Sequence, residues 1–201
     1  SREALGIHRL LGRRMHEPFG LTHLGWIAMM RGEYDRAVVI QEEALAITRE
    51  LRDDWATVMV LRNLGEALAR GGKQRQALAV FAESLRLDAE LDNPVGIGFT
   101  LETMTIALAE VHPEAAARLL AAGLAQLETL GAAHPPGAMA EIEALAADLE
   151  DRLGKETFSA ASEAGKALSR EAAMAEALTL ADEIVNTADT ANSSDASTNR
   201  L

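Results

Sequence analysis

The chain has 201 residues, of which 39 are alanine and 28 leucine, while aromatic residues make up 3%. Alanine and leucine favour helices, and a sheet protein of this size needs more β-branched and aromatic residues, so the composition predicts an all-α fold. The absence of cysteine excludes disulfides, cysteine-ligated metals and thiol catalysis. A formal net charge of −12 argues against direct binding to nucleic acid or to an anionic membrane.

A 40-residue repeat organises the first half of the chain. Apolar residues recur at helical spacing on both sides of a glycine, so each copy predicts two helices joined by a glycine turn. A single hairpin cannot bury its apolar face, so the stacked copies predict a solenoid. The recurring positions are Leu24, Gly25, Gly32, Ala37 and Leu45, which match Leu64, Gly65, Gly72, Ala77 and Leu85.

The repeat divides the first 133 residues into four units. Ala4 and Leu5 match Ala44 and Leu45, so the chain is expected to begin inside a repeat, at its second helix. The third full copy is degenerate, because His112 and a proline replace the glycine turn. The predicted units are the second helix of a truncated preceding repeat (1–17), repeat 1 (18–57), repeat 2 (58–97) and degenerate repeat 3 (98–133).

The second half of the chain begins at a proline pair. Pro135 and Pro136 interrupt any helix there, since proline lacks the amide donor and restricts the residue before it. A closing region is predicted over 138–185, followed by a polar, disordered tail or linker over 186–201. The closing helices are expected at 138–152, 155–165 and 170–185.

The motif of the first copy resembles a known repeat. The pattern L-G-x(6)-G-x-Y-x-x-A-x(6)-A-L is similar to the tetratricopeptide (TPR) repeat, and the second copy departs from it at Gln74 and Ser84. The resemblance implies a right-handed TPR-like solenoid of helical hairpins, with a period of about 40 residues instead of the usual ~34. The pattern is carried by Leu24, Gly25, Gly32, Tyr34, Ala37, Ala44 and Leu45.

A second resemblance covers the closing region. Residues 115–122, the segment 153–158 and the segment 163–169 resemble the C-terminal part of bacterial LuxR-type regulators and related signalling ATPases. In that class the helical array follows an ATPase or effector module, and LuxR-type members carry a helix-turn-helix after it. The resemblance implies a sensor or scaffold arm of a cytoplasmic bacterial regulator.

The TPR resemblance places the first helix of each hairpin on a concave groove that binds protein or peptide. Leu21, Leu24 and Ala28 are expected to pack between helices, and the positions offset from that stripe are expected to face the groove. Core packing of Trp26, and pairing of Arg62 and Arg70 with acidic neighbours, are the alternatives. The predicted partner-binding residues are His23, Trp26, Met30, Arg62, Asn63, Glu66, Arg70 and Glu102.

The sequence contains few motifs that indicate catalysis, phosphate binding or metal binding. The segment from Gly71 to Gln74 is similar to a phosphate loop, but Ala67 replaces its first glycine and Gln74 replaces the hydroxyl that binds magnesium. No two histidines have metal-ligand spacing. We therefore expect no catalytic residue, no metal and no cofactor.

Three functions remain open at this stage. The first is a non-catalytic protein- or peptide-binding module in a regulator. The second is a stand-alone adaptor, or a scaffold that forms a homodimer through the alanine-rich helices of 138–185. The third is a small-molecule-binding or enzymatic helical domain. No apolar run approaches the ~18–20 residues that cross a bilayer, so we expect a cytoplasmic protein without membrane contact.

Overall fold

The computed structural model describes residues 17–134 and 137–198, and these residues form nine α-helices and no strand. Residues 1–16, which make up nearly all of the predicted truncated repeat, lie outside the described residues. The predicted all-α fold is confirmed. The helices are α1 (Glu17–Met30), α2 (Tyr34–Leu51), α3 (Asp54–Arg70), α4 (Gln74–Glu90), α5 (Pro94–Val111), α6 (Pro113–Thr129), α7 (Ala138–Leu153), α8 (Lys155–Lys166) and α9 (Arg170–Thr198).

A glycine with a left-handed backbone follows the first helix of the first two hairpins. Gly32 has φ 73° and Gly72 has φ 77°, a region that favours glycine. The Gly32 amide donates to the carbonyl of Met29 at 2.8 Å, so the last turn of α1 is closed by backbone hydrogen bonds. In the third hairpin His112 alone separates the helices, because Pro113 already begins α6.

The helices α3 and α5 begin four residues before the predicted repeat boundaries at 58 and 98. Asp53 and Asn93 are N-caps: each side-chain oxygen accepts a hydrogen bond from the amide three residues ahead, at 3.0 and 3.1 Å. Each cap satisfies one of the unpaired amides at a helix start and fixes where the helix begins. The repeat boundaries were predicted from the spacing of apolar residues. Because Asp53 and Asn93 are polar, that spacing does not show that they begin the helices.

The three hairpins α1–α2, α3–α4 and α5–α6 stack in chain order. Each second helix packs on its own hairpin and on the first helix of the next one. The first helices also pack directly on each other, α1 on α3 and α3 on α5, whereas the second helices do not pack together to the same extent. The first helices therefore line the inner side of the array, and the fold is the predicted TPR-like solenoid.

Two of the three closing helices, α8 and α9, return over the outer side of the array. The helix α8 packs on α6, and α9 crosses α4, α5 and α6. Ala173, Ala177 and Ala181 form a fully buried stripe on α9, and Arg118 of α6 donates to Glu176 of α9 at 2.7 Å. This alanine stripe is occupied within the chain, so the homodimer, which stays a prediction, has to use other surfaces.

The last helix is longer than expected. We predicted a disordered tail or linker from residue 186, whereas α9 continues to Thr198. Its sequence contains no glycine or proline, the two residues that most strongly end a helix. The polar composition that suggested a tail is therefore compatible with a helix.

The helix α5 is strongly apolar, although it carries Glu102 and Glu110. Among the described residues it is the one helix long and apolar enough to cross a membrane, with a mean hydropathy of 1.2 over 18 residues. This differs from the prediction that no apolar run approaches the length needed to cross a bilayer. More than half of α5 is buried inside the array, against α3, α4 and α6, which is the position of a core helix in a stacked fold.

Two hairpins depend on a glycine that leaves room for a side chain of the partner helix. A Cβ on Gly25 would lie 2.4 Å from the side chain of Gln41, and a Cβ on Gly65 would lie 2.6 Å from the ring of Phe81. Gln41 and Phe81 are fully buried, so neither side chain can turn out to solvent. The glycines therefore set how closely the two helices of each hairpin approach.

We expect Gly65→Ala to lower the free energy of unfolding by about 1–3 kcal/mol, the usual range for overpacking a close-packed core. Gly20→Ala is the matched control, because a Cβ there meets nothing within 4 Å and alanine is the better helix former. Urea unfolding followed by circular dichroism measures both. Equal stability of the two variants would contradict the contact with Phe81.

A buried hydrogen-bond network joins α4 to α5. The carboxylate of Asp88 accepts hydrogen bonds from Asn93 (2.8 Å) and from the hydroxyl of Thr100 (3.1 Å), and Thr100 also contacts the hydroxyl of Ser84 (3.3 Å). Asp88 is fully buried. Burial raises the pKa of Asp88 to about 6, although the hydrogen bond from Thr100 and the charge of Arg62 act in the opposite direction.

We expect Asp88→Asn to stabilise the protein at neutral pH, by at most about 3 kcal/mol. The pKa of this carboxyl is higher in the folded state than in the unfolded state, so the folded protein holds the proton longer. The stability that Asp88 contributes is therefore lost as pH rises from about 4 to 6. An amide keeps the shape and does not ionise.

Urea unfolding between pH 4 and 7 measures this effect as the difference in stability between variant and parent. The difference should grow up to about pH 6 and then level off. Glu90→Gln, at an exposed position of the same helix, controls for the loss of one negative charge. A constant difference over the whole range would show that Asp88 is ionised throughout.

Candidate functional site

The inner side of the array presents residues of α1, α3 and α5 at corresponding helical positions, spaced 40 residues apart. We define the inner surface as the exposed and half-buried residues at these positions. All eight predicted partner-binding residues lie on it, and their role in binding stays a prediction. The inner surface consists of Phe19, His23, Trp26 and Met30 on α1, Trp55, Met59, Arg62, Asn63, Glu66 and Arg70 on α3, and Phe99, Glu102, Thr103, Ile106 and Glu110 on α5.

The helix α1 contributes an exposed apolar stripe. Phe19, His23, Trp26 and Met30 are spaced by four, three and four residues, which places them on one face of the helix. Trp26 is 54% exposed and Met30 61% exposed. Within the described residues, the alternative that Trp26 packs in the core therefore does not apply. His23 is held by a hydrogen bond between its Nδ1 atom and the carbonyl of Phe19 at 2.7 Å.

Not every expected packing residue of α1 is buried. Ala28 is buried and Leu21 is half-buried, but Leu24 is 55% exposed. The equivalent residue of the next repeat, Leu64, is only 4% exposed, because the preceding hairpin covers α3. No described helix precedes α1, so the prediction for Leu24 is wrong within the described structure.

The helix α3 contributes charged and polar groups. Arg70 donates from Nε to Glu66 at 2.8 Å and from Nη2 to Glu141 of α7 at 2.5 Å. The expected alternative, pairing with acidic neighbours, therefore applies to Arg70. Asn63 lies half-buried one turn before Glu66.

Arg62 has a different environment. Its guanidinium lies 5.5 Å from the ring centroid of Phe99, and it forms no ion pair with any described residue. Burial lowers the pKa of Arg62, while the charges of Asp88, Glu66 and Glu102 raise it. A cation stacked on an aromatic face, with no carboxylate at contact distance, can donate hydrogen bonds to an incoming acceptor.

The loop before α7 reaches the inner surface at α5. The Nε2 atom of His134 lies 2.6 Å from a carboxylate oxygen of Glu102, and both side chains are almost completely buried. The imidazole ring also packs edge-on against Phe99, with the two centroids 5.4 Å apart. Burial raises the pKa of Glu102, and the hydrogen bond and charge of His134 act in the opposite direction.

The helix α7 packs on α6 and α8, and two of its side chains reach the C-terminal ends of α3 and α5. Glu141 of α7 binds Arg70, and Arg152 of α7 lies 3.6 Å from Glu110. The inner surface therefore has two parts. The covered part lies under the loop before α7 and comprises Phe99 and Glu102, whereas Arg70 and Glu110 remain exposed. The open part comprises Phe19, His23, Trp26, Met30, Trp55, Arg62 and Asn63.

Sequence reasoning missed several residues of this surface. Trp55 is 60% exposed and lies four residues before Met59 and seven before Arg62, so helical spacing alone places it on the same stripe. It was missed because the repeat was taken to begin at residue 58. His134 and Glu141 belong to segments outside the repeat, and no local pattern connects them to α3 or α5.

Within residues 17–134 and 137–198, no three histidine, aspartate or glutamate side chains form a group that could hold a metal ion. The glycine pair that is similar to a phosphate loop forms the turn between α3 and α4, and Lys73 beside it donates to Asp35 at 2.6 Å. That hydrogen bond lowers the pKa of Asp35.

Comparison with known proteins agrees with this geometry. Residues 20–90 match the family model of the tetratricopeptide repeat, a span that covers nearly all of α1 to α4. Neither curated proteins nor solved structures give a match. Tetratricopeptide repeats generally mediate interactions between proteins, which supports a non-catalytic binding module. The first two hairpins form a TPR-like repeat region, and the chain is an all-α, TPR-like helical-repeat solenoid.

Proposed function

We propose that the chain is a non-catalytic module that binds a protein or peptide on the open part of its inner surface. One observation carries the proposal: Phe19, Trp26, Met30 and Trp55 are all large, apolar and about half exposed or more. Fully burying one such side chain contributes about 1.5–3 kcal/mol. A concentration of such side chains on one surface is typical of interaction sites.

The neighbouring polar groups limit what this partner can be. Arg62 has no ion pair among the described residues, and Asn63 next to it is half-buried. Together they offer hydrogen bonds to a carboxylate or to peptide carbonyl groups. Tryptophan is a frequent interface anchor, and methionine adapts to apolar groups of different shape. A segment that combines a bulky apolar side chain with an acceptor group fits both features.

Peptides selected from a random display library against the full chain test this proposal. We expect Trp26→Ala and Trp55→Ala each to weaken binding of a selected peptide at least tenfold, measured by fluorescence anisotropy with labelled peptide. Both residues are exposed, so circular dichroism should show unchanged helix content. Val39→Ala is the matched control, because Val39 is equally exposed but lies on α2, a second helix.

Two results would contradict this site. In the first, neither tryptophan variant changes the affinity of the selected peptides. In the second, Val39→Ala weakens binding as much as the tryptophan variants do. Either result would move the binding surface away from the inner side of the array.

We also propose that the module is the sensor or scaffold arm of a larger cytoplasmic bacterial regulator. The support is the resemblance of residues 115–122 and 153–169 to the closing region of LuxR-type proteins and signalling ATPases. In this proposal, partner binding changes the contacts of the array with an attached ATPase or DNA-binding domain. The partner shifts that equilibrium only through different affinities for the two states.

The reading frame on both sides of this sequence tests the regulator role. An ATPase domain before residue 1, or a helix-turn-helix after residue 201, would support it. A frame that encodes neither would reject the regulator role. The binding module would then stand as an adaptor, and light scattering would decide whether it also forms a homodimer.

A further inference from the structure

We propose that residues 1–11 form a helix that docks on the exposed apolar side of α1. This side is defined by Leu24 and Ile27, which are 55% and 41% exposed within the described structure. The occupant is a segment of the same chain that lies outside the described residues. Leu24 and Ile27 lie outside the inner stripe of Trp26 and Met30, so this docking is independent of the proposed partner binding.

The corresponding side of each later first helix is buried in the array. The residues of α3 and α5 at these two positions are covered where the preceding second helix packs, α2 on α3 and α4 on α5. The most exposed of the four, Leu64, is 4% exposed. The same side of α1 therefore has the form of a seat for a second helix. The four residues are Leu64 and Ala67 on α3 and Met104 and Ala107 on α5.

The composition of α1 is that of a helix covered on more than one side. After Glu17 it contains no charged residue as far as Met30. A helix that is apolar nearly all round is normally buried. The similarly apolar α5 buries ten of its 18 residues, whereas α1 buries five of its 14 within the described structure. This difference indicates that a further element covers α1.

Residues 1–11 have the sequence of a second helix. They are identical to residues 41–51, the last part of α2, at six of eleven positions. The shared residues include the pair that α2 buries as Ala44 and Leu45. A segment with this pattern can pack on a first helix as α2 does. The six shared residues are Glu3, Ala4, Leu5, Ile7, Arg9 and Leu11.

The connection between this segment and α1 has the length that the docking needs. Leu5 precedes Leu24 by 19 residues, and Leu45 precedes Leu64 by the same number. A chain path like the one from α2 to α3 therefore brings the segment onto the exposed side of α1.

Gly12 stands at the position where the described second helices end. At the two equivalent positions, Arg52 and Asp92 have φ 53° and 47°, in the left-handed region that favours glycine. The backbone turn that follows α2 can therefore form after residues 1–11 with less strain.

Thiol labelling in the full chain tests this docking. The chain has no cysteine, so Leu24→Cys introduces a single reactive group. We expect its thiol to react with a maleimide at least tenfold more slowly than the thiol of Val39→Cys, because Val39 is 63% exposed on α2. Adding Leu5→Asp should speed labelling at position 24 at least tenfold, since a carboxylate opposes burial of the segment.

Two controls separate release of the segment from other effects. Gly6→Asp introduces the same charge at the position equivalent to Ala46, which is exposed on α2, and should leave labelling slow. The thiol of Leu64→Cys should stay unreactive with and without Leu5→Asp, because α2 packs on α3. If Leu5→Asp impairs folding of the array, as judged by circular dichroism, Leu5→Ala is measured in the same way, with a smaller acceleration expected.

The docking is rejected if the thiol of Leu24→Cys reacts as fast as that of Val39→Cys. It is also rejected if Leu5→Asp leaves labelling slow, or if it speeds labelling of Leu64→Cys equally. Protection that disappears on dilution would assign this side of α1 to a second copy of the chain and overturn the proposal. None of these results alters the peptide-binding test of the inner surface, so the two proposals fail separately.

Discussion

The close crossing of two helices in each hairpin is the constraint on which the array depends. At the crossing, one helix must carry a small residue so that a larger side chain of the other helix fits between them. The first two hairpins put a glycine on the first helix and a large residue on the second, and the third hairpin places the larger residue on the first helix. The equivalent pairs are Gly25 with Gln41, Gly65 with Phe81, and Thr105 with Ala121.

The third hairpin has Thr105 where the first two have a glycine, and its two helices approach closely at a different position. A Cβ on Gly123 would lie 2.9 Å from the carbonyl oxygen of Gly98, so the backbones of α5 and α6 nearly touch there. This crossing lies about two turns before the position of Thr105. The one-residue connection through His112 and the following proline joins the two helices more tightly than the three-residue glycine turns do. The repeat is degenerate in sequence while its helices remain stacked.

The repeat, the glycine turns and the order of the helices follow from the sequence, because helical periodicity and turn residues are local signals. The contacts of α7 and of the loop before it do not. Glu141 lies 71 residues from Arg70, and His134 lies 32 residues from Glu102. Charged residues are common on helix surfaces, so nothing in the sequence singles out these pairs. The inner surface was therefore predictable residue by residue, but its division into open and covered parts was not.

The buried stripe of each first helix and the inner stripe beside it meet different physical demands. Leu61, Leu64 and Leu68 must be apolar because they fill the space between hairpins. The inner positions carry no such requirement, and the same position holds Trp26 on α1, Glu66 on α3 and Ile106 on α5. One backbone thus presents an apolar, a charged and again an apolar group along a single groove. The proposed partner would therefore contact side chains at positions whose identity is not fixed by packing between the helices.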